Sequence, residues 1–261
     1  MSIREFPTEV CIFTLKVERI TDTCIFARLN HSGFQYLAYE MSAALDQEMA
    51  MILPLPVELS EPKSQGPVEF LDLSDCPTFF AYLEGSFQPR PGFSFARLFG
   101  KDTIEVVEVE SFEASYVPSI ADFERLDPRF GLDISIWRQL PQYVDHGFAI
   151  FKLKPGEKRL HPMALRFRTR YQRQLFFPTV HVHDGTVPKV EAFDHRLFCQ
   201  SGKHPGGNWA RSRYKLGDAI PTEQNIRQLI DNKKEGFRLQ MQGEFPNQDV
   251  LVPATPLADP G

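Results

Sequence analysis

Apolar residues in this chain come in runs of strand length, and most of those runs stop at or near a proline or glycine. There are 21 prolines and 16 glycines in 261 residues. A proline ring locks φ and removes an amide donor, so it interrupts helices and is confined to the ends and edges of strands. The chain also holds 23 phenylalanines, and aromatic side chains favour pleated, half-buried surfaces. Both facts point to many short strands. With 42% hydrophobic and 24% charged residues the composition is globular, with ample apolar material for a core.

The pattern reads as strands over Val10–Val17, Thr23–Leu29, Gly33–Met41 and Glu48–Leu55. Turn signals between them suggest an antiparallel meander. Further strands are expected at Thr103–Glu110, Phe112–Val117, Phe148–Leu153, Pro162–Tyr171, Gln172–His183, Val190–Cys199 and Phe237–Gly243. Helix punctuation marks Ser74–Gly85, with Ser74 or Asp75 as cap, and Leu132–Tyr143, with Asp133 as cap and Pro141 as breaker. Short helices are also expected at Pro118–Leu126 and, capped by Thr222, at Thr222–Asn232. The expected class is therefore α+β, mainly antiparallel sheet with a few short helices. One domain is expected over 1–243, with a sub-boundary near 144–147, followed by an extended, Pro-rich tail over 244–261.

The N-terminus lacks the basic and apolar segments of a signal peptide, and no apolar stretch approaches the roughly 20 residues that span a bilayer. Cys11, Cys24, Cys76 and Cys199 are scattered, which fits reduced thiols and a cytoplasmic protein. Charge is unevenly placed. Residues 1–130 carry 10 Lys+Arg against 21 Asp+Glu, and residues 131–261 carry 19 against 13. The halves either complement each other or leave a basic working surface in the second. A sequence pI near 5.8 argues against nucleic acid as the partner.

The unusual chemistry lies between Leu160 and His195, which holds four of the seven histidines. On a strand, Arg166, Arg168 and Arg170 share one face, a positive stripe about 13 Å long, while Leu165, Phe167, Thr169 and Tyr171 share the other. Guanidinium forks suit carboxylates or phosphates, so the stripe is a candidate site for an acidic protein or small anion. It serves equally as a solvated face, or one paired with the glutamates of 105–110.

His181 and His183, two apart, project from one face of a strand, a spacing that metal sites use. His195, Asp194, Glu191 or His161 can supply a third ligand, and Asp184 can orient a ring. Such a set suits Zn or Fe. None of the extended zinc motifs is present, and Asp184-Gly185 also reads as a hairpin turn that leaves His183 exposed at a strand end. Asp145-His146-Gly147 reads as turn chemistry, with a catalytic role as the alternative. Cys199 follows His195 by four residues, and no spacing supports a nucleophile. The Ser201-Gly202-Lys203 loop lacks the pattern of a phosphate loop.

The Pro-x-Pro strand end at Pro54 and Pro56, the helical segment with Trp137, and the run Tyr143–Phe148 leading into FAIFKL and HPMALRF are together similar to a bacterial domain family with no assigned function. The resemblance covers roughly residues 35–170. It implies that 1–200 forms one cooperative unit and assigns no catalytic residue or activity. Members of that family often carry secretion signals, from which this chain departs. Two functions follow from the residues themselves. One is a non-catalytic binding protein that recognises an acidic partner. The other is a metal-dependent hydrolase or oxygenase using His181, His183 and either His195 or Asp194.

Overall fold

The computed structural model describes residues 12–15, 17, 19–58, 67–89, 112–127, 130–182, 185–219 and 224–259. In chain order the first strands are β1 (Ile12–Phe13), β2 (Arg19–Leu29), β3 (Phe34–Leu45), β4 (Met49–Leu55) and β5 (Val68–Leu71). Helix α1 (Phe79–Gly85) precedes β6 (Phe112–Val117), and a 3₁₀ turn at Ile120–Arg125 leads to α2 (Ile134–Gln139). A second 3₁₀ turn, Pro141–Tyr143, opens onto β7 (Gly147–Leu153), β8 (Gly156–Arg159), β9 (Met163–Arg168), β10 (Gln174–Phe177), β11 (Val190–Gln200) and β12 (Ala210–Lys215). The chain ends with α3 (Gln224–Leu229), β13 (Glu235–Pro246) and β14 (Val250–Pro253).

The strands form three sheets. The largest runs β12-β13-β11-β2-β3-β9-β5, with β8 also on β3, and only its β11–β2 pair is parallel. The second runs β1-β4-β7-β6, and β10 and β14 make a two-stranded ribbon. The expected α+β class thus resolves as a mainly-β protein with few, short helices.

Four layers result. One face of the large sheet, carrying Ile25, Leu37, Tyr39, Leu165, Leu197 and others, packs on Met51, Leu53 and Phe151 of the second sheet and on Phe177 and Val252 of the ribbon. The outer face of the large sheet, with Phe26, Tyr36 and Phe198, is covered by α1 through Phe79, Phe80 and Leu83 and by α3 through Ile226 and Leu229. The outer face of the second sheet, with Ile52, Phe148 and Ile150, is covered by Phe123, Ile136, Trp137 and Tyr143. Strands covered on both faces need apolar residues at consecutive positions, and every residue of β4 is indeed buried.

Several expectations change. The first four segments do not form a meander. β2 and β3 pair as a hairpin, whereas β1 pairs with β4 and β4 crosses to the second sheet beside β7. Continuous burial marks β4 as an interior strand, and it lies between β1 and β7. Helix α1 starts after Thr78 rather than at Ser74 or Asp75. Asp133 does cap α2, accepting from the Ser135 amide. The segment from Glu244 continues β13 and then supplies β14, so it is less extended tail than sheet. The expected strand Thr103–Glu110 and the Thr222 cap lie outside the described residues.

Candidate functional site

Strand β9 alternates as expected up to its end. Leu165 and Phe167 are buried, while Arg166 and Arg168 are half-buried on the other face. There both guanidiniums sit over the Phe34 ring, at 5.3 and 4.8 Å from its centroid. Arg166 is neutralised by Glu69, with Nη2 to Oε2 at 2.6 Å, and Arg168 donates to the Ser32 carbonyl. Arg170 lies past the end of β9 and does not extend the stripe. Its Nη2 donates to His146 Nδ1 at 2.8 Å, and its Nε is buried with no hydrogen-bond partner. The run is therefore a two-residue face in contact with Glu69 and Phe34, with Arg170 set apart beside His146.

The histidine reading also divides. The strand expected over Gln172–His183 is regular only in β10, and a segment follows whose one β-bridge among the described residues joins Val182 to Ile12. It runs between two cores, with Val180 and Val182 packed into the layer that holds Trp137 and His181 turned towards β11. On β11, Phe193, His195, Leu197 and Cys199 are buried at alternate positions. The structure thus brings His181 and His195 together, with both rings fully buried. Their Nε2 atoms are 3.4 Å apart, and Phe193 stacks on His181 at 4.5 Å. Burial pushes the His195 pKa down to about 3, so that ring stays neutral. Asp194 does not join them. It alternates to the other face of β11, where its carboxylate accepts from the Asp22 amide. His183 and Asp184 lie outside the described residues. Among the described residues no three His, Cys, Asp or Glu groups converge as metal ligands.

Backbone clamping holds His181 in place. The β13–β14 turn supplies Asn247, whose Oδ1 accepts from the His181 amide at 2.7 Å. Asn247 Nδ2 donates to the carbonyls of His181 and Pro188. Two residues on, Asp249 accepts from the Thr179 amide and from the Tyr143 hydroxyl at 2.6 Å. Asp249 is part-exposed as a residue, but its carboxyl points inward, and burial lifts its pKa to about 6 against the lowering effect of these bonds. Tyr143 packs edge-on against His146, whose pKa burial and then the Arg170 charge push down to about 3. Because the guanidinium must donate, His146 carries its lone pair at Nδ1. At Gly147 the Tyr116 ring occupies the space a side chain would need.

The buried charges in the large sheet went unread in the sequence. Arg28 is fully buried, with its guanidinium 4.9 Å from the Tyr36 centroid and Nη2 donating to the Ala258 carbonyl. Glu40, 1% exposed, accepts from Arg159 Nε at 2.8 Å. Each has apolar neighbours in its strand, Arg28 between Ala27 and Leu29, and Glu40 before Met41. A charge at a core-facing position was the available signal. Cys24, Cys76 and Cys199 are free and buried, and burial raises the Cys24 pKa to about 12. No described helix is long and apolar enough to cross a membrane.

Four layers and buried polar clamps define a class of architecture, a mixed-sheet sandwich with helical covers on both outer faces. No known family profile matches the chain, and no curated protein matches it in sequence. Among solved structures it is similar to baculovirus P35. The crystal structure of that protein aligns over 94% of this chain and 100% of its own, at a TM-score of 0.52 and 11% identity. A mutated P35 after caspase cleavage gives 0.49 at 12% identity, over 90% of this chain and all of that one. P35 in its complex with caspase-8 gives 0.45 at 9%, over 90% and 96%. At 11% identity, the first of these likenesses shows a shared fold alone.

Proposed function

We propose that this chain is a non-catalytic, cytoplasmic protein-binding module whose partner is an acidic protein surface. The observation that carries the reading is the fold, which follows that of P35 over 94% of the chain. Electrostatics support the acidic partner. Arg211, Arg213 and Lys215 are exposed at alternate positions of β12, an edge strand of the large sheet. None of the three forms an ion pair among the described residues. These cations are exposed, whereas Arg166 and Arg170 are half-buried.

P35 has been seen bound to caspase-8, so that protease is the first partner to test. Purified chain mixed with active caspase-8 is expected to co-elute with it in size-exclusion chromatography and to lower its peptidase activity. The complex is expected to weaken as salt rises, because exposed charge pairs are screened. Separate elution and unchanged activity at about tenfold excess of the chain refute the reading.

A further inference from the structure

The long strand β13 has partners on its two sides over different lengths. Towards β11 it is paired from Phe237 to Pro246. On its other side β12 reaches only Glu235, Phe237 and Arg238. Among the described residues no strand covers Leu239–Pro246 on that side. The open edge is about 25 Å long at roughly 3.3 Å per residue. A groove of about 470 Å³ lies along it, beginning where β12 stops at Ala210 and walled by Leu239, Met241, Phe245 and Val250. Gln240, Gln242, Gly243 and Glu244 are exposed. At Gly243 (φ +108°) nothing among the described residues lies within 4 Å of where a side chain would start.

An open edge offers unpaired amides and carbonyls that another extended chain can satisfy. Strand addition draws its affinity from those main-chain bonds and its selectivity from pockets for alternate side chains. Both parts are present here. Arg211, next to Ala210 at the end of the groove, is exposed, and its guanidinium lies 5.6 Å from the Phe237 centroid. Arg213 is exposed two residues on. We infer that β13 beyond Arg238 is a docking edge for an extended segment of a partner protein. That segment adds as a strand in line with β12, seats an apolar side chain among Leu239, Phe245 and Val250, and turns acidic residues towards Arg211 and Arg213. This deepens the binding reading by naming its surface, and it rests on that reading.

The test uses the full chain and the peptide acetyl-Glu-Val-Glu-Val-Glu-Val-Glu-amide, followed by amide chemical-shift mapping. Shifts confined to 239–246 and to the start of β12 are expected. Leu239→Trp, which fills the groove, is expected to weaken binding about tenfold or more. The wild-type map decides by itself if that variant folds poorly. No shifts at about 1 mM peptide, shifts elsewhere, or a dimer of the chain that the peptide does not dissociate would each overturn the inference. Caspase-8 separates the two proposals. A caspase complex formed equally by wild type and Leu239→Trp, without peptide shifts, removes the docking edge and leaves the binding reading intact. Peptide shifts on the edge without a caspase complex do the reverse.

Discussion

Asn247→Ala tests whether the fold depends on side-chain clamps that no periodicity reveals. The amide of Asn247 makes three hydrogen bonds to main chain, at 2.7 Å to the His181 amide and at 2.8 and 2.9 Å to the carbonyls of His181 and Pro188. Those bonds fix the segment that carries His181 onto His195. A typical hydrogen bond contributes about 1 kcal/mol net, and leaving a buried partner unsatisfied costs about 1–3 kcal/mol. Asn247 is half-buried, so water replaces part of what is lost. Together these give a destabilisation of about 2–3 kcal/mol. With a urea m-value near 3 kcal/mol per M for a chain of this size, the midpoint falls by about 1 M. Equilibrium unfolding in urea, read by the fluorescence of Trp137 and Trp209, measures it. An unchanged m-value with the lower midpoint assigns the loss to the native state. A change below about 0.5 kcal/mol, the range of ordinary surface substitutions, refutes the clamp.

Two further substitutions follow from buried carboxyls. The Asp249 pKa is raised from 3.8 to about 6, so the folded state favours its protonated form. The stability this gives is full below about pH 4 and is lost as pH rises through about 6. Asp249→Asn should therefore gain on wild type by roughly 2 kcal/mol between pH 4 and 7 in urea titrations, and a constant difference would count against this. Arg159→Met strips Glu40 of its cation. Breaking a fully buried pair costs about 3–5 kcal/mol, but the Arg159 side chain is 47% exposed, so about 2 kcal/mol is expected at pH 7. Burial raises the Glu40 pKa, so the loss should shrink as pH falls and Glu40 takes up a proton. A loss that does not vary with pH contradicts the pairing.

Local pattern made most of the elements legible and little of their arrangement. β7 and β11 were readable because apolar runs between turn signals have few alternatives, and Asp133 because a cap is a local bond. Pairing was different. The run MILPLP marks a strand buried on both faces, but burial does not say which sheet supplies the neighbour. Loop lengths left a hairpin with β3 open, and only the packing of Phe148 and Ile150 under Trp137 shows that β4 belongs beside β7. The His-x-His spacing located a buried imidazole but assigned it a regular strand. His181 is held instead by a side chain 66 residues away.

The arginine run shows the same limit from the electrostatic side. Alternation placed Arg166 and Arg168 on one face correctly, because a period of two is a property of the strand. Whether that face is free depends on Glu69, a residue of β5 that pairs with Arg166 across the sheet. β12 also carries cations at alternate positions, Arg211, Arg213 and Lys215, at the end of the sheet order, and although Glu235 stands in register with Lys215 none of the three is in an ion pair among the described residues. Under the binding reading proposed above, alternating cations are open to a partner only where the sheet leaves them outside ion pairs. The charge asymmetry of the two halves divides accordingly, with one part consumed internally by Glu69 and Glu40 and the other left facing solvent beside the open side of β13. If reversing Arg211 and Arg213 to glutamate leaves capture of an acidic partner unchanged while Arg166→Glu abolishes it, this division is wrong and the engaged face is the functional one.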